Sequence, residues 1–276
     1  MFALYANIFF LDHDHIGDAI AMSTGNHITN AAERLLSAHR QRQRIILPRD
    51  YLPTTLADAY AIQDTVAAHL WPDRIGAWKT GAPSPDAEPI AAPIGSELIF
   101  ISGSELPAAT FHMLGIEGEL AYRLGADLPQ TDTPYTLEQV SAAIASIHAA
   151  IEIVDTRLAD WETAGAHCKL ADNQSNGGLA LGDYIADWRS IEPTQQRALL
   201  YVNQQCKADT VGGNAAGDPL RLLVWLANHC AARGKSLRAG DVITTGTHTG
   251  LVFVNPGDAV SVEFPGIGSV KIAFTS

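Results

Sequence analysis

The sequence predicts an α+β protein in which a helical first third precedes a strand-rich remainder. Three observations carry this. Apolar residues recur at helix-like spacing before residue 71. Short β-branched and aromatic runs bounded by turn residues dominate after residue 97. No strict alternation of strands with helices appears, as a doubly wound parallel sheet would need. With 276 residues, 47% of them hydrophobic and 17% charged, the chain can bury a sizeable core as one large domain or a domain with a smaller lobe.

The reading divides the chain into residues 1–22, a tail or an over-extended start; 23–95, an N-terminal helical region; and 96–276, a strand-rich domain. The apolar run Phe2 to Leu11 is too short to span a bilayer. It lacks a preceding Lys or Arg and is followed at once by Asp12-His13-Asp14-His15, so it makes a poor signal peptide. In the helical region, Ala31 to Arg44 and Thr55 to Leu70 carry apolar stripes. Pro53 precedes the second, and Trp71-Pro72 stops it. Ile75 to Thr80 reads as a short strand. Ala82 to Pro93 holds four prolines and reads as loop.

Strands are expected at Leu98 to Ser102, Gly115 to Leu124, Ala149 to Asp155, Leu179 to Leu181, Ala198 to Val202, Val242 to Thr245, Ala259 to Phe264 and Ser269 to Phe274. Two helices interrupt them. One runs from Leu137 to about His148 behind a capping box of Thr136 and Gln139. The other runs from Pro219 to about Arg233 and is closed by Gly234.

A formal charge of −12 argues against nucleic acid and against an anionic membrane surface as partners. A small anionic substrate remains compatible if a metal or a local cation offsets the field. Three cysteines, Cys168, Cys206 and Cys230, share no close spacing, which fits neither a zinc site nor a disulfide framework and points to the reducing cytoplasm. Neither a dinucleotide or Walker-type glycine loop nor a Gly-x-Ser-x-Gly elbow is present.

The segment richest in chemistry is Gly115 to Leu124. On a strand, Ile116, Leu120 and Tyr122 share one face with Gly118, and Glu117 and Glu119 share the other. Two carboxylates about 6–7 Å apart repel by about 2–3 kcal/mol at an effective dielectric near 20. A solvated strand face relieves this, and so does a bound cation. Glu152 lies at the centre of the apolar strand Ala149 to Val154. Buried there, it needs either a basic partner or a metal. Three oxygen donors on two strands suit a hard dication such as Mg²⁺ or Mn²⁺.

Lys79, at the end of a strand, is either a snorkelling surface lysine or a cation that holds a carboxylate or stabilises an enolate. Asp172 and Asn173, in the polar run after Lys169, fit ordinary turn chemistry or a substrate contact. Thr245, Gly246 and Thr247 offer donors for an anion where a strand opens into a Gly/Thr loop.

Taken in order, Trp78-Lys79-Thr80-Gly81, Ile116-Glu117-Gly118-Glu119-Leu120-Ala121, Ala150 to Arg157, Leu170-Ala171-Asp172-Asn173, Gly240 to Gly246, Pro256-Gly257-Asp258 and Gly266 to Val270 resemble the fumarylacetoacetate hydrolase superfamily. The resemblance runs from about Leu56 to the C-terminus and is nearest the 2-keto-4-pentenoate hydratase and 4-oxalocrotonate decarboxylase branch. It implies a mixed β-rich roll and a homo-oligomer. It implies Mg²⁺ or Mn²⁺ on Glu117, Glu119 and Glu152, a catalytic-pocket lysine at Lys79, and a Thr245–Thr247 segment that closes on the substrate.

The implied activity is metal-dependent hydration of a 2-oxo (2-hydroxy-2,4-dienoic) acid through a stabilised enolate. An acylpyruvate-type C–C hydrolase, a decarboxylase and a catalytically silent 2-oxo acid-binding homologue are the alternatives. One departure stands out. Where the hydratases carry an acid after the lysine, this chain has a shorter, Pro-rich stretch with an apolar residue near Ile90. Asp86 or Glu88 is a substitute on that stretch, and His112 and Lys169 are alternative proton carriers.

Overall fold

A computed structural model describes residues 13–72 and 74–276, with side chains described from His27 onward. The whole expected tail, residues 1–22 with its Asp/His run at 12–15, therefore lies outside the described side chains. The first helix, α1 (His13–Gln41), packs on α2 (Leu56–Leu70). Thr55 and Asp58 form a capping box at the start of α2, so each satisfies a backbone N–H that would otherwise lack a partner.

Next come β1 (Ile75–Gly81) and β2 (Ile90–Gly95), then β3 (Ile99–Ile101), β4 (Ser104–Pro107) and β5 (Gly115–Leu124). The helix α3 (Leu137–Ala143) leads into β6 (Ile144–Val154), and α4 (Ala166–Ala171) into β7 (Asn176–Ile185). The rest comprises β8 (Arg197–Val202), β9 (Gln205–Val211), α5 (Pro219–Ala232), β10 (Val242–Phe253), β11 (Ala259–Phe264) and β12 (Gly268–Thr275).

The expected α+β class holds: two mixed sheets and few helices, with a helical N-terminal region. The larger sheet runs β2-β1-β10-β5-β6-β7-β3 and the smaller β4-β12-β11-β8-β9. The pairs β1/β10, β3/β7 and β4/β12 are parallel and the others antiparallel. Ile116, Leu120 and Tyr122 of β5 and Ile151 and Ile153 of β6 pack with Val262, Phe264, Val270 and Phe274 of the smaller sheet. The opposite face of the larger sheet looks toward the helical layer, whose own core joins α1, α2 and α4. Glu117, Glu119 and Glu152 belong to that second face, by the alternation of side chains along a strand. Gly118 cannot carry a side chain, because a Cβ there would come within 2.8 Å of both Thr249 and Val262.

Several boundaries differ from the sequence expectation. The capping box of Thr136 and Gln139 is present, yet its helix ends at Ala143 and residues 144–154 form one long strand. Ile147, Ala149 and Ile151 are fully buried there, and tertiary pairing with β5 and β7 overrides the local helical reading. The Pro-rich loop ends earlier than expected, because Ile90 to Gly95 pair antiparallel with β1. Pro93 is tolerated on this strand because β2 is at the edge. β1 and β2 thus belong to the larger sheet rather than to the helical region. β10 runs on through its Gly/Thr segment to Phe253, with register shifts between Thr244 and Thr247 and between Thr247 and Leu251. Among the described residues, no helix is long and apolar enough to cross a membrane. All three cysteines are free.

Candidate metal centre

Strand register brings the acids together. Glu117 on β5 lies directly across from Glu152 on β6, and Glu119 lies one alternate position along. One carboxylate oxygen from each of the three comes within 4.8 Å of the others. On the other side of β5, Glu119 faces Thr247 of β10, and Lys79 of β1 faces Thr244. A cleft of about 410 Å³ opens over this group, lined also by Thr80, Gly81, Ala82, Pro83, Ile90, Gln174, Gly246 and Thr247.

Glu119 is 1% exposed and Glu152 is fully buried. The Glu119 carboxylate accepts from the Thr244 hydroxyl and from the Gly246 N–H, the latter at 2.9 Å. Gly246 adopts φ +95°, a conformation that glycine reaches without steric cost, and it turns its N–H onto the acid. One Glu152 oxygen, Oε1, accepts from the Lys79 ammonium and from Asn176 Nδ2 at 3.0 Å. The other, Oε2, is buried with no hydrogen-bond partner. Lys79 also donates to the Gln174 carbonyl at 3.0 Å. The lysine is therefore an internal counter-ion, not a surface group.

Burial pushes the Glu117 carboxyl up to about 7, helped by Glu152 and opposed by Lys79. Burial, then Glu152 and Glu117, hold Glu119 well above the ordinary carboxylate range, against Lys79 and the Thr244 hydrogen bond. Burial lowers Lys79, but the charges of Glu152, Glu117 and Glu119 outweigh it and hold the ammonium above its usual value. One lysine thus balances only part of three clustered carboxylates. The donor set is all oxygen, the groups converge, and one buried oxygen has no partner. These residues fit a hard dication.

Of the other sequence candidates, Thr245 supports the site from behind: its hydroxyl donates to the Leu120 carbonyl at 2.9 Å, while its own carbonyl accepts from Asn214. Gly246 and Thr247 line the cleft. Glu88, His112, Lys169, Asp172 and Asn173 do not. The Glu88 carboxylate is exposed and accepts from Trp225 Nε1 at 2.5 Å. Lys169 sits over the Trp161 ring at 4.8 Å.

His112 lines a second cavity of about 470 Å³, together with His39, Asp155, Arg157 and Asn173. Asp172 is 1% exposed and all its bonding is internal. It accepts from Arg157 Nε at 2.6 Å, from the Arg157 N–H at 2.9 Å and from the Thr156 hydroxyl at 2.6 Å. Asn173 donates to the Pro93 carbonyl at 2.8 Å. The expected substrate contacts at 172 and 173 are instead fastenings of the turn that follows α4.

That turn supplies what the sequence reading missed. Asn173, Gln174 and Ser175 have φ of +52°, +53° and +56°, one left-handed turn that costs about 1–2 kcal/mol per residue. It places the Gln174 carbonyl on Lys79, and Asn176, just beyond, on Glu152. The only signal in the sequence was a polar, turn-rich run. Residue type there marks a turn but not which carbonyl it points inward. Thr244 was likewise hidden, since only the β5/β10 register puts its hydroxyl on Glu119.

Fold and site together define a class: two-sheet α+β rolls that present a carboxylate cluster suited to a divalent cation. The chain belongs to the fumarylacetoacetate (FAA) hydrolase family, whose C-terminal model matches residues 74–275. It is 31% identical over 256 residues to the 2-keto-4-pentenoate hydratase of Paraburkholderia xenovorans (strain LB400), covering 89% of this chain and 94% of that one. It is 28% identical over 270 residues to the 2-oxo-hept-4-ene-1,7-dioate hydratase of Escherichia coli, covering 89% and 97%. Among solved structures it resembles 4-oxalocrotonate decarboxylase from Pseudomonas putida G7, complexed with magnesium and adipate, with a TM-score of 0.79 and 25% identity over 90% of this chain and 97% of that one.

Proposed function

We propose that the chain is a divalent-metal-dependent hydratase of a 2-oxo (2-hydroxy-2,4-dienoic) acid such as 2-keto-4-pentenoate, with Mg²⁺ or Mn²⁺ held by Glu117, Glu119 and Glu152. The observation that carries this reading is the convergence of three carboxylates, two of them buried and Glu117 half-buried, beside one lysine, with Glu152 Oε2 lacking a partner. Hydratases at 28–31% identity over nearly the whole chain support the reaction type.

A bound dication supplies Lewis acidity toward a 2-oxo carboxylate. The chain's own residues do the remaining work. Lys79 is fixed by Glu152 and the Gln174 carbonyl. Its ammonium lies at the cleft wall, where negative charge develops on the 2-oxo oxygen, and a pre-oriented cation there stabilises that charge without reorganisation. Thr244 and the Gly246 N–H hold Glu119 in one orientation, and Asn176 does the same for Glu152. Thr247 offers a hydroxyl at the rim. Apart from the three carboxylates, Lys79 is the one titratable group among the described residues lining the cleft, so it is the assigned proton carrier. Protonation down the conjugated chain followed by water addition gives the 4-hydroxy-2-oxo acid.

The test is turnover of 2-hydroxypenta-2,4-dienoate, read by loss of ultraviolet absorbance and by product mass, with and without Mg²⁺ and a chelator. An acylpyruvate and 4-oxalocrotonate run in parallel separate hydrolysis and decarboxylation. Hydration that persists in excess chelator sinks the proposal. The same reading has the enzyme act as a homo-oligomer in the cytoplasm. Light scattering on the purified protein checks the first part, and fractionation of the source cells checks the second.

A further inference from the structure

Relatives of this chain bear names of both monocarboxylate and dicarboxylate substrates, so the distal end of the cleft is the open question. Gly81 ends β1 directly across from Ile90, which starts β2. The stretch between them forms one wall of the cleft through Ala82 and Pro83. This wall is fastened. Ile90 packs against the helical core, and the next residue, Ala91, is held from both sides: its N–H donates to the Tyr60 hydroxyl and its carbonyl accepts from Gln63.

Neither acid of the loop, Asp86 or Glu88, lines the cleft. Arg221 donates to the Ser84, Ala87 and Ala216 carbonyls. Glu88 is held outside by Trp225. What this stretch contributes to the lining is the methyl group of Ala82, the pyrrolidine ring of Pro83 and the branched alkyl chain of Ile90, while the uncharged Thr80, Gln174 and Thr247 line it from other segments.

We propose that this cleft selects 2-oxo acids whose distal end is uncharged and rejects dicarboxylates, with Ala82, Pro83 and Ile90 as the specificity-determining wall. The inference rests on the reading that the cleft takes a 2-oxo acid. The charge arithmetic supports it. Three carboxylates and Lys79 sum to −2, a dication brings the site to zero, and the substrate's own carboxylate brings it to −1. A second carboxylate meets no cation among the described lining residues, since Lys79 is already paired with Glu152. Removing such a group from water without a partner is unfavourable.

Calorimetric titration of the Mg²⁺-loaded protein with two unreactive saturated acids, 2-oxopentanoate and 2-oxohexanedioate, tests this without turnover. The monoacid is expected to bind about 100-fold more tightly. Equal or tighter binding of the diacid overturns the proposal. Ile90→Arg and Ala82→Arg each place a cation at the wall, the second on the loop in case the first fails to fold. Each is expected to narrow the preference about tenfold, and an unchanged preference in both folded variants overturns the assignment of the wall. If the binding preference holds while neither 2-hydroxypenta-2,4-dienoate nor 2-hydroxyhepta-2,4-diene-1,7-dioate is hydrated, the selectivity stands and the hydratase reading fails. If neither saturated acid binds, both fall.

Discussion

Two clusters of buried charge meet at Asn176, whose carbonyl accepts from Arg157 and whose amide donates to Glu152, and they solve the problem of burial in opposite ways. Around Asp172, three donors from Arg157 and Thr156 meet the carboxylate, and the remaining guanidinium N–H groups reach the Asp172 and Asn176 carbonyls at 2.8 and 3.0 Å. Around Glu152, three carboxylates share one ammonium, and an oxygen is left with nothing to accept. The first cluster is complete as it stands. The second is stable only as a receptacle, since the missing positive charge must come from outside the chain. Burial alone therefore does not separate a structural acid from a functional one; the tally of its partners does. A buried pair that is complete costs little until one member is removed, whereas a deficient cluster becomes less repulsive when a member is neutralised.

The sharpest way to break this contrast is Glu152→Gln or Glu117→Gln. Each is expected to lower kcat by about 10³-fold or more and Mg²⁺ affinity by about 10–100-fold, while the melting temperature of the metal-free protein holds or rises. Activity and calorimetry read the first effects, and a thermal scan in chelator the last. Arg157→Met should do the reverse, costing about 3–5 kcal/mol through an orphaned Asp172. That amounts to a fall of about 5–15 °C in melting temperature, equal with and without Mg²⁺.

Next in size is pH. Glu117 in the folded protein titrates near 7, far above an ordinary glutamate, so the folded state holds that proton more tightly than the unfolded state. Stability of the metal-free protein is then highest below pH 4.5 on this group's account and declines as pH rises toward 7. Protons on Glu117 and on the likewise raised Glu119 compete with the cation, so Mg²⁺ affinity should rise by at least about tenfold per unit up to pH 7. A flat affinity profile across pH 5–7 removes the deficit that the comparison depends on. Smallest of all, Glu88→Gln and Lys169→Met should each leave kcat within about twofold, because both side chains are engaged away from the cleft.

The acids were legible in the sequence because strand alternation is a strict rule. Glu117 and Glu119 share a face whatever the rest of the fold does, and an acid inside Ala149 to Val154 has to be buried. Their meeting point was legible only through the family resemblance, because Glu117 opposite Glu152 is a matter of register between two strands. β5 and β11 match the expected ranges, having clear polar or glycine boundaries. β6 was cut short by a capping box that works as expected but opens only a seven-residue helix. Asp172 fits turn chemistry and a substrate contact alike in the sequence, because a polar turn shows its donors and acceptors without showing whether neighbours already use them. Glu88 shows the same limit in another form: spacing puts it near the lysine, and a tryptophan 137 residues later takes it away.

The position of β10 has a consequence for synthesis. Its Thr244 and Gly246 steady Glu119 across 125 and 127 residues of chain, and its parallel neighbour β1 carries Lys79. A nascent polypeptide therefore exposes its glutamates long before the strand that orders them has left the ribosome. The three acids therefore reach their final order only once β10 (Val242–Phe253) has joined β5, so the sheet gathers them across most of the length of the fold.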